Sequence, residues 1–233
     1  MIIKVDPKPI TTFSINIADN QIAQTNCTKY LGVILDGKLS WYQHITNVED
    51  KLAQSLGIIY MTRHYLTPSA LKSVYICLVY SHLQDAIGAW GSVPKTTLNH
   101  LNALHNKLIR AMNFASYRSH VTPLYHQSNL LKINIYLLEI AKMMHCLHNG
   151  KLPQTFDDYF VPVASVHTHL TRKPPMVNIS CTRFPASMAK DQSGIMDLRF
   201  GIQLIIHCSD DLLFKKLYRA HLISQYAEED TAV

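Results

Sequence analysis

The sequence predicts an α+β chain that is mostly α: a small β-rich start, a helical bundle, and an irregular proline-rich extension closed by one helix. Three observations predict it. From Thr11 to Asp36 apolar residues alternate or form short runs, between about 42 and 150 they recur at steps of three and four, and beyond Lys151 both periods fade as Pro153, Pro162, Pro174, Pro175 and Pro185 arrive. The corresponding segments are 1–41, 42–150 and 151–233.

Phe13, Ile15 and Ile17 at period two, a turn signal at Asp19-Asn20 and then Ile22 predict two strands joined by a tight turn. The run from Tyr30 to Leu35 predicts a third strand, closed by Asp36-Gly37, where glycine supplies the positive φ such a turn often needs. After Trp41 the period becomes helical, with Ile45, Val48, Leu52, Leu56 and Ile59 on one face until about Tyr65. Thr67-Pro68-Ser69 breaks and restarts the helix, with Pro68 suited to a first helical position. Leu71, Val74, Tyr75, Leu78 and His82 then continue one face to about Trp90, before Gly91 and Pro94. A third helix runs from Lys95 to about Phe114 on a stripe of Leu98, Leu101, His105, Leu108 and Met112. Short proline-containing turns between these three suggest an antiparallel bundle. A shorter helix covers Thr122 to Leu130 and a longer one Ile133 to His148, stopped by Asn149-Gly150 and Pro153. The last helix has Ser209 as N-cap, Asp210 and Asp211 in its first turn, a face of Phe214, Leu217, Tyr218, His221 and Leu222, and a solvated tail at Glu228-Glu229-Asp230.

A chain of 233 residues can bury about 70% of the surface its unfolded form exposes. Hydrophobic residues make up 48% and charged residues only 16%, with a mean hydropathy of +0.02, so an exposed apolar face is expected. Lys4, Asp6 and Lys8 interrupt any leader-like opening, and the longest apolar run, Val74 to Tyr80, is far short of the ~20 residues of a membrane span. A soluble, intracellular protein without membrane contact is the expectation. Five irregularly spaced cysteines argue for free thiols over a disulfide framework. A net charge of +6 and a pI near 9.0 permit a polyanionic partner, although no dense Lys/Arg block occurs.

The phrase Lys29-Tyr30-Leu31-Gly32-Val33-Ile34-Leu35-Asp36, followed by Leu39-Ser40-Trp41 and His44-Ile45, resembles the end of the palm and the start of the thumb in reverse transcriptases of non-LTR (LINE-type, jockey-like) retrotransposons. His64 to Pro68, Ile76 to His82, Ala89-Trp90-Gly91, Leu104 to Arg110, His120 to Leu124 and Leu130 to Ile133 follow in the family's order, and Leu152-Pro153 with Phe156 and Thr171-Arg172 resemble its downstream cues. One departure occurs at Leu198 to Ile202, where the family often has W-N-x-L-P. The resemblance implies a palm-remnant β segment, a thumb-like helical bundle and a C-terminal extension of an RNA-directed DNA polymerase. It places Leu31 and Gly32 at the primer grip, where the glycine admits either the primer end or a neighbouring backbone. It makes Lys29, Lys51, Arg63, Lys107 and Arg110 candidates for template-primer phosphates, against the alternative of solvated helix surface.

The family's two-metal chemistry needs Mg²⁺ held by palm carboxylates, including an F/Y-A-D-D pair. Asp157-Asp158 has its aromatic in the wrong place, and Asp210-Asp211 sits at a helix start, so no catalytic residue and no cofactor is assigned to this chain. The expectation is a fragment inactive alone, with residual RNA/DNA template-primer binding. The alternative is a degenerate or co-opted module that uses apolar helix faces to bind a protein or its own copy. His145-Cys146 with His148, and His167 with His169, lack the paired spacing of a zinc site, and Cys146 is expected inward with His145 and His148 outward. No G-x-S-x-G or phosphate-loop pattern occurs. His82 and His105 are read as core-edge residues, and Tyr60, Tyr75, Tyr80 and Trp90 as core first and stacking platforms second.

Overall fold

The computed structural model describes residues 15–17, 20–23, 25–162, 179–181 and 210–231. Phe13, Asp19, His167, His169, Thr171, Arg172, Leu198 to Ile202 and Ser209 lie outside them. Among the described residues helices dominate, with three two-stranded antiparallel sheets, as the α+β, mostly α expectation has it. The chain divides into two compact units, Met1–Ala86 with Val93–Phe114, and Ile87–Ser92 with Ala115–Val233. Residues of the expected 42–150 bundle therefore fall in both.

In the first unit, β1 (Ile15–Ile17) pairs with β2 (Asn20–Ile22), Ile15 opposite Ile22. The run from Tyr30 to Leu35 is not one strand. It is split between β3 (Cys27–Tyr30) and β4 (Val33–Asp36), a hairpin in which Tyr30 faces Val33. Leu31 and Gly32 form its two-residue loop at φ 46° and 88°, the pattern of a type I′ turn, whose twist matches that of the strands. Gly37 does not adopt positive φ; Leu39 (50°) and Trp41 (62°) do. The Asp36 carboxylate explains that path, because it accepts from the Ser40 N–H at 3.0 Å and the Trp41 N–H at 3.1 Å, just ahead of α1 (Tyr42–Thr62). Burial pushes the Asp36 carboxyl up, but these hydrogen bonds outweigh it and hold it below the ordinary aspartate value. The Ile34 N–H donates to His44 Nδ1 at 3.3 Å, which fastens the hairpin to α1.

Helix α1 buries His44, Ile45, Val48, Leu52, Ser55 and Ile59, so the inward position of its fourth turn is Ser55 and not Leu56. The small Ser55 hydroxyl donates to the carbonyls of Lys51 (2.8 Å) and Leu78 (3.2 Å), linking α1 to the next helical run. That run starts at α2 (Pro68–Tyr75), with Pro68 at its first turn and the Thr67 hydroxyl accepting from the Ala70 N–H at 3.3 Å. It continues as a π-helical segment (Ile76–Tyr80) and α3 (Ser81–Gln84), and breaks at Ala86 (φ 50°). Leu71 and Tyr75 are buried as expected, but Val79 and Leu83 complete the face in place of Val74, Leu78 and His82, which are half-buried. Steps of four overshoot a 3.6-residue turn by about 40° each, and the wider π turn absorbs the excess.

Helix α5 (Lys95–Met112) buries Leu98, Leu101, His105, Leu108 and Met112 as the stripe predicts, with Leu104, Ile109 and Ala111 in addition. His100 Nδ1 lies 2.9 Å from Glu49 near the start of α5 and α1, and Phe114 meets His64 just past the end of both. The first and third helices therefore run parallel, with the middle run antiparallel to each, as an up-down-up bundle requires. At its centre the Tyr75 phenol and His105 Nε2 are 2.6 Å apart, both buried, so His105 lies in the core and not at its edge.

The second unit contains α4 (Ile87–Trp90), α6 (Thr122–Ser128), α7 (Ile135–His148), a 3₁₀ turn (Gln154–Tyr159), the β5–β6 pair (Phe160–Pro162 with Ile179–Cys181) and α8 (Asp211–Thr231). Helix α6 ends at Asn129 in the left-handed region (φ 52°), and α7 is followed by Gly150 at φ 63°, the stop expected from Asn149-Gly150. Gly91 allows α4 to lie against α7, since a Cβ there would sit 2.5 Å from Tyr136 Cβ and 2.6 Å from the Ile87 carbonyl. The cap of α8 is Asp210, whose carboxylate accepts from the Leu212 N–H at 2.8 Å, and Glu228 to Asp230 lie within the helix. Phe214, Tyr218, Leu222 and Tyr226 are buried, and the Tyr226 hydroxyl donates to Asn134 at 2.7 Å. His145 corrects the sequence reading: it is buried and stacked on Phe214 at 4.3 Å, while Cys146 is only half-buried.

Candidate nucleic-acid interface

The seven expected site residues all lie in the first unit, and the fold separates them. Leu31 and Gly32 form the β3–β4 loop, where Leu31 is 81% exposed and a Cβ on Gly32 would lie 3.4 Å from an Asp85 carboxylate oxygen. The glycine thus has a backbone reason of its own, its φ of 88°. Lys29 sits on β3, and Lys51 in the first half of α1, close enough to His44, His82 and Asp85 to act on both rings. Burial, with Lys51 adding to it and Asp85 opposing, holds His44 and His82 below the ordinary histidine value. Four carboxylates, Asp36, Glu49, Asp50 and Asp85, belong to this end, alongside the lysines Lys29, Lys38, Lys51 and Lys95.

At the opposite end, where α1 and α5 finish and α2 begins, the charge is one-sided. Arg63 directly follows α1, Lys72 lies in the second turn of α2, and Lys107 and Arg110 stand one turn apart on α5. Residues 52–84 and 99–114 contain these four cations and no Asp or Glu. Arg63 is held in place: its guanidinium carbon lies 4.8 Å from the centre of the Tyr60 ring and 5.4 Å from that of Phe114, and its Nε donates to His64 Nε2 at 3.2 Å. Phe114 reaches this position from a backbone φ of 53°, a conformation that costs an L-residue roughly 1–2 kcal/mol. Tyr60 is 47%, Phe114 54% and Tyr65 88% exposed. Of the other aromatics named with Tyr60, Tyr75 and Trp90 are fully buried and offer no surface, and Tyr80 is half-buried.

Phe114 escapes a reading by motif, because only the pairing of the α1 and α5 ends brings it beside Arg63. The carboxylate-free stretches were a signal visible without the structure. Among the described residues no group of three or more His, Cys, Asp and Glu side chains converges as metal ligands would, so the residues do not fit a two-metal centre and no Mg²⁺-dependent step is derived from them. The Asp210-Asp211 pair is otherwise engaged: Asp210 caps α8, and Asp211 receives Lys151 at 2.8 Å and lies 3.1 Å from His145 Nδ1. The hydrogen bond from Lys151 holds the Asp211 carboxyl below its ordinary value. Asp157 and Asp158 belong to the 3₁₀ turn. Among the described residues no helix is long and apolar enough to cross a membrane.

No protein-family model matches the chain, and no solved structure matches it. Two curated proteins do. Over 134 residues the chain is 27% identical to the RNA-directed DNA polymerase from mobile element jockey of Drosophila funebris, which covers 56% of this chain and 15% of that protein. Over 120 residues it is 23% identical to the probable RNA-directed DNA polymerase from transposon X-element of Drosophila melanogaster, covering 50% of this chain and 13% of that protein. The matched region is thus a small part of either relative. Together with the order of motifs from Lys29 onward, these matches make the chain similar to the RNA-directed DNA polymerases of non-LTR retrotransposons.

Proposed function

We propose that this chain is a nucleic-acid-holding part of a retrotransposon RNA-directed DNA polymerase, gripping template and primer through the basic end of its three-helix bundle and supplying none of the catalytic carboxylates. The observation that carries the proposal is the gathering of Arg63, Lys72, Lys107 and Arg110 at one end of the bundle with no carboxylate in the sequence stretches that build it. Such a surface neutralises phosphates and releases their counterions, so affinity tracks salt more than sequence. Lys29, Lys51, Leu31 and Gly32 share their end with four carboxylates and take a lesser part. Mg²⁺ belongs to the chemistry of the complete enzyme.

The test is binding of the purified chain to a labelled RNA–DNA hybrid across a salt series. Affinity falls steeply with salt, and K107A/R110A lowers the log–log slope by about two, since each phosphate contact contributes roughly 0.9. An unchanged slope in the double variant refutes the assignment. Primer extension by the chain alone, with template, dNTPs and Mg²⁺, would refute the absence of catalytic groups. A folded chain that ignores the hybrid at low salt and self-associates in sedimentation would point instead to association through apolar helix faces.

A further inference from the structure

We propose that the layer formed by Tyr60, Arg63 and Phe114, with Tyr65 beside it in the chain, is a stacking site for unpaired bases, so that the nucleic acid held at this end carries a single-stranded segment. This rests on the nucleic-acid reading above and narrows it. Phosphate attraction explains the four cations but not the rings. Three aromatic side chains stand about half or more exposed at the end of the unit where the described residues carry no carboxylate, where a paired duplex would offer them only its sugar-phosphate edge. Unpaired bases offer π faces, and aromatic rings and arginine planes bind those with little regard to sequence.

The arrangement is also set in advance. Arg63 lies against both the Tyr60 and Phe114 rings, and His64 meets Phe114 edge-on at 5.8 Å, so the guanidinium is positioned before any ligand arrives. Phe114 keeps its place despite a positive φ that a phenylalanine seldom adopts. An apolar protein partner is the less fitting occupant, because it would bury Arg63 between the rings with no acidic side chain among the described residues to pair with it.

The probes are a short labelled oligoadenylate RNA, its abasic counterpart of equal length, and a blunt RNA–DNA hybrid. The oligoadenylate should bind about tenfold more tightly than the abasic strand, the effect of losing one base-stacking contact. Y60A/Y65A should remove that advantage, and Y60F/Y65F, which keeps the rings, should retain it. Far-UV circular dichroism confirms that both variants fold. Equal binding of the oligoadenylate and abasic strands, or an alanine variant that binds like the wild type, overturns stacking even if the hybrid still binds with a steep salt slope. Failure of all three probes at low salt overturns the nucleic-acid reading itself, and this inference with it.

Discussion

His105 should make the first unit acid-sensitive, and the size of the effect follows from its burial. The ring is 1% exposed, 2.6 Å from the Tyr75 phenol and stacked on it at 6.1 Å. Burial pushes its pKa from 6.5 down to about 3. The unfolded chain takes up a proton on this residue below pH 6.5 and the folded chain does not, so the neutral ring's contribution is intact above that pH and is lost as the pH falls toward 3. At about 1.4 kcal/mol per pH unit, the loss between pH 7 and pH 5 is about 2 kcal/mol. His44 and His82, also held low, add to the same trend. Urea unfolding at the two pH values, on the wild type and on H105Q, isolates the share of His105, because glutamine offers Tyr75 a polar partner without titrating. H105Q should be less stable than the wild type at pH 7 yet lose about 2 kcal/mol less on acidification. Equal losses in the two proteins would show that His105 is not held neutral by the fold.

Three further outcomes are expected. L31N should raise the urea midpoint by about 1 kcal/mol of stability, because asparagine tolerates the positive φ of the I′ turn and the leucine it replaces is 81% exposed; a lowered midpoint would mean that the Leu31 side chain packs. G91A should cost about 1–3 kcal/mol, the usual penalty for forcing a methyl into occupied space, read by thermal unfolding, and a neutral result would contradict the close approach to Tyr136. K107E should leave stability unchanged or raise it by about 0.5 kcal/mol, since it replaces a like-charged neighbour of Arg110 with an opposite one, yet it should weaken hybrid binding, and retained affinity would exclude Lys107 from the interface.

Where local chemistry decides, the sequence was readable. Leu98 to Met112 trace the buried stripe of α5, Thr67-Pro68 sets the start of α2, and Asn149-Gly150 stops α7. The failures share a cause in contacts between distant residues or in an unusual backbone. Tyr30 to Leu35 reads as one strand because leucine is a poor I′ turn residue, and only pairing of Cys27 with Asp36 and of Tyr30 with Val33 puts the turn at Leu31-Gly32. The π segment hides because one extra residue rotates every later position. His145 is drawn inward by Phe214, nearly seventy positions on. Much of the family-like phrase turns out to be folding instruction: Gly32 permits the turn, Asp36 holds Ser40 and Trp41, and His44 ties the hairpin to α1. Resemblance in that phrase therefore speaks for shared architecture before shared contacts.

The charges at the far end invite the opposite conclusion. If stability alone had shaped the bundle, Arg63, Lys72, Lys107 and Arg110 would be expected to have carboxylates three or four residues away, each such pair contributing about 0.2–0.5 kcal/mol. None of the four has one, and Lys107 and Arg110 stand three apart as like charges. Strain at Phe114 and exposed rings at Tyr60 and Tyr65 add costs of the same sign. The opposite end offsets its cations with Glu49 beside His100 and Asp36 capping its loop, although it too carries positive φ, at Leu31, Leu39, Trp41 and Ala86, and exposed apolar side chains. What sets the far end apart is its charge: four cations without local carboxylates, beside exposed rings, are best explained by a partner that answers both, and a phosphate chain with unpaired bases supplies negative charge and flat rings together.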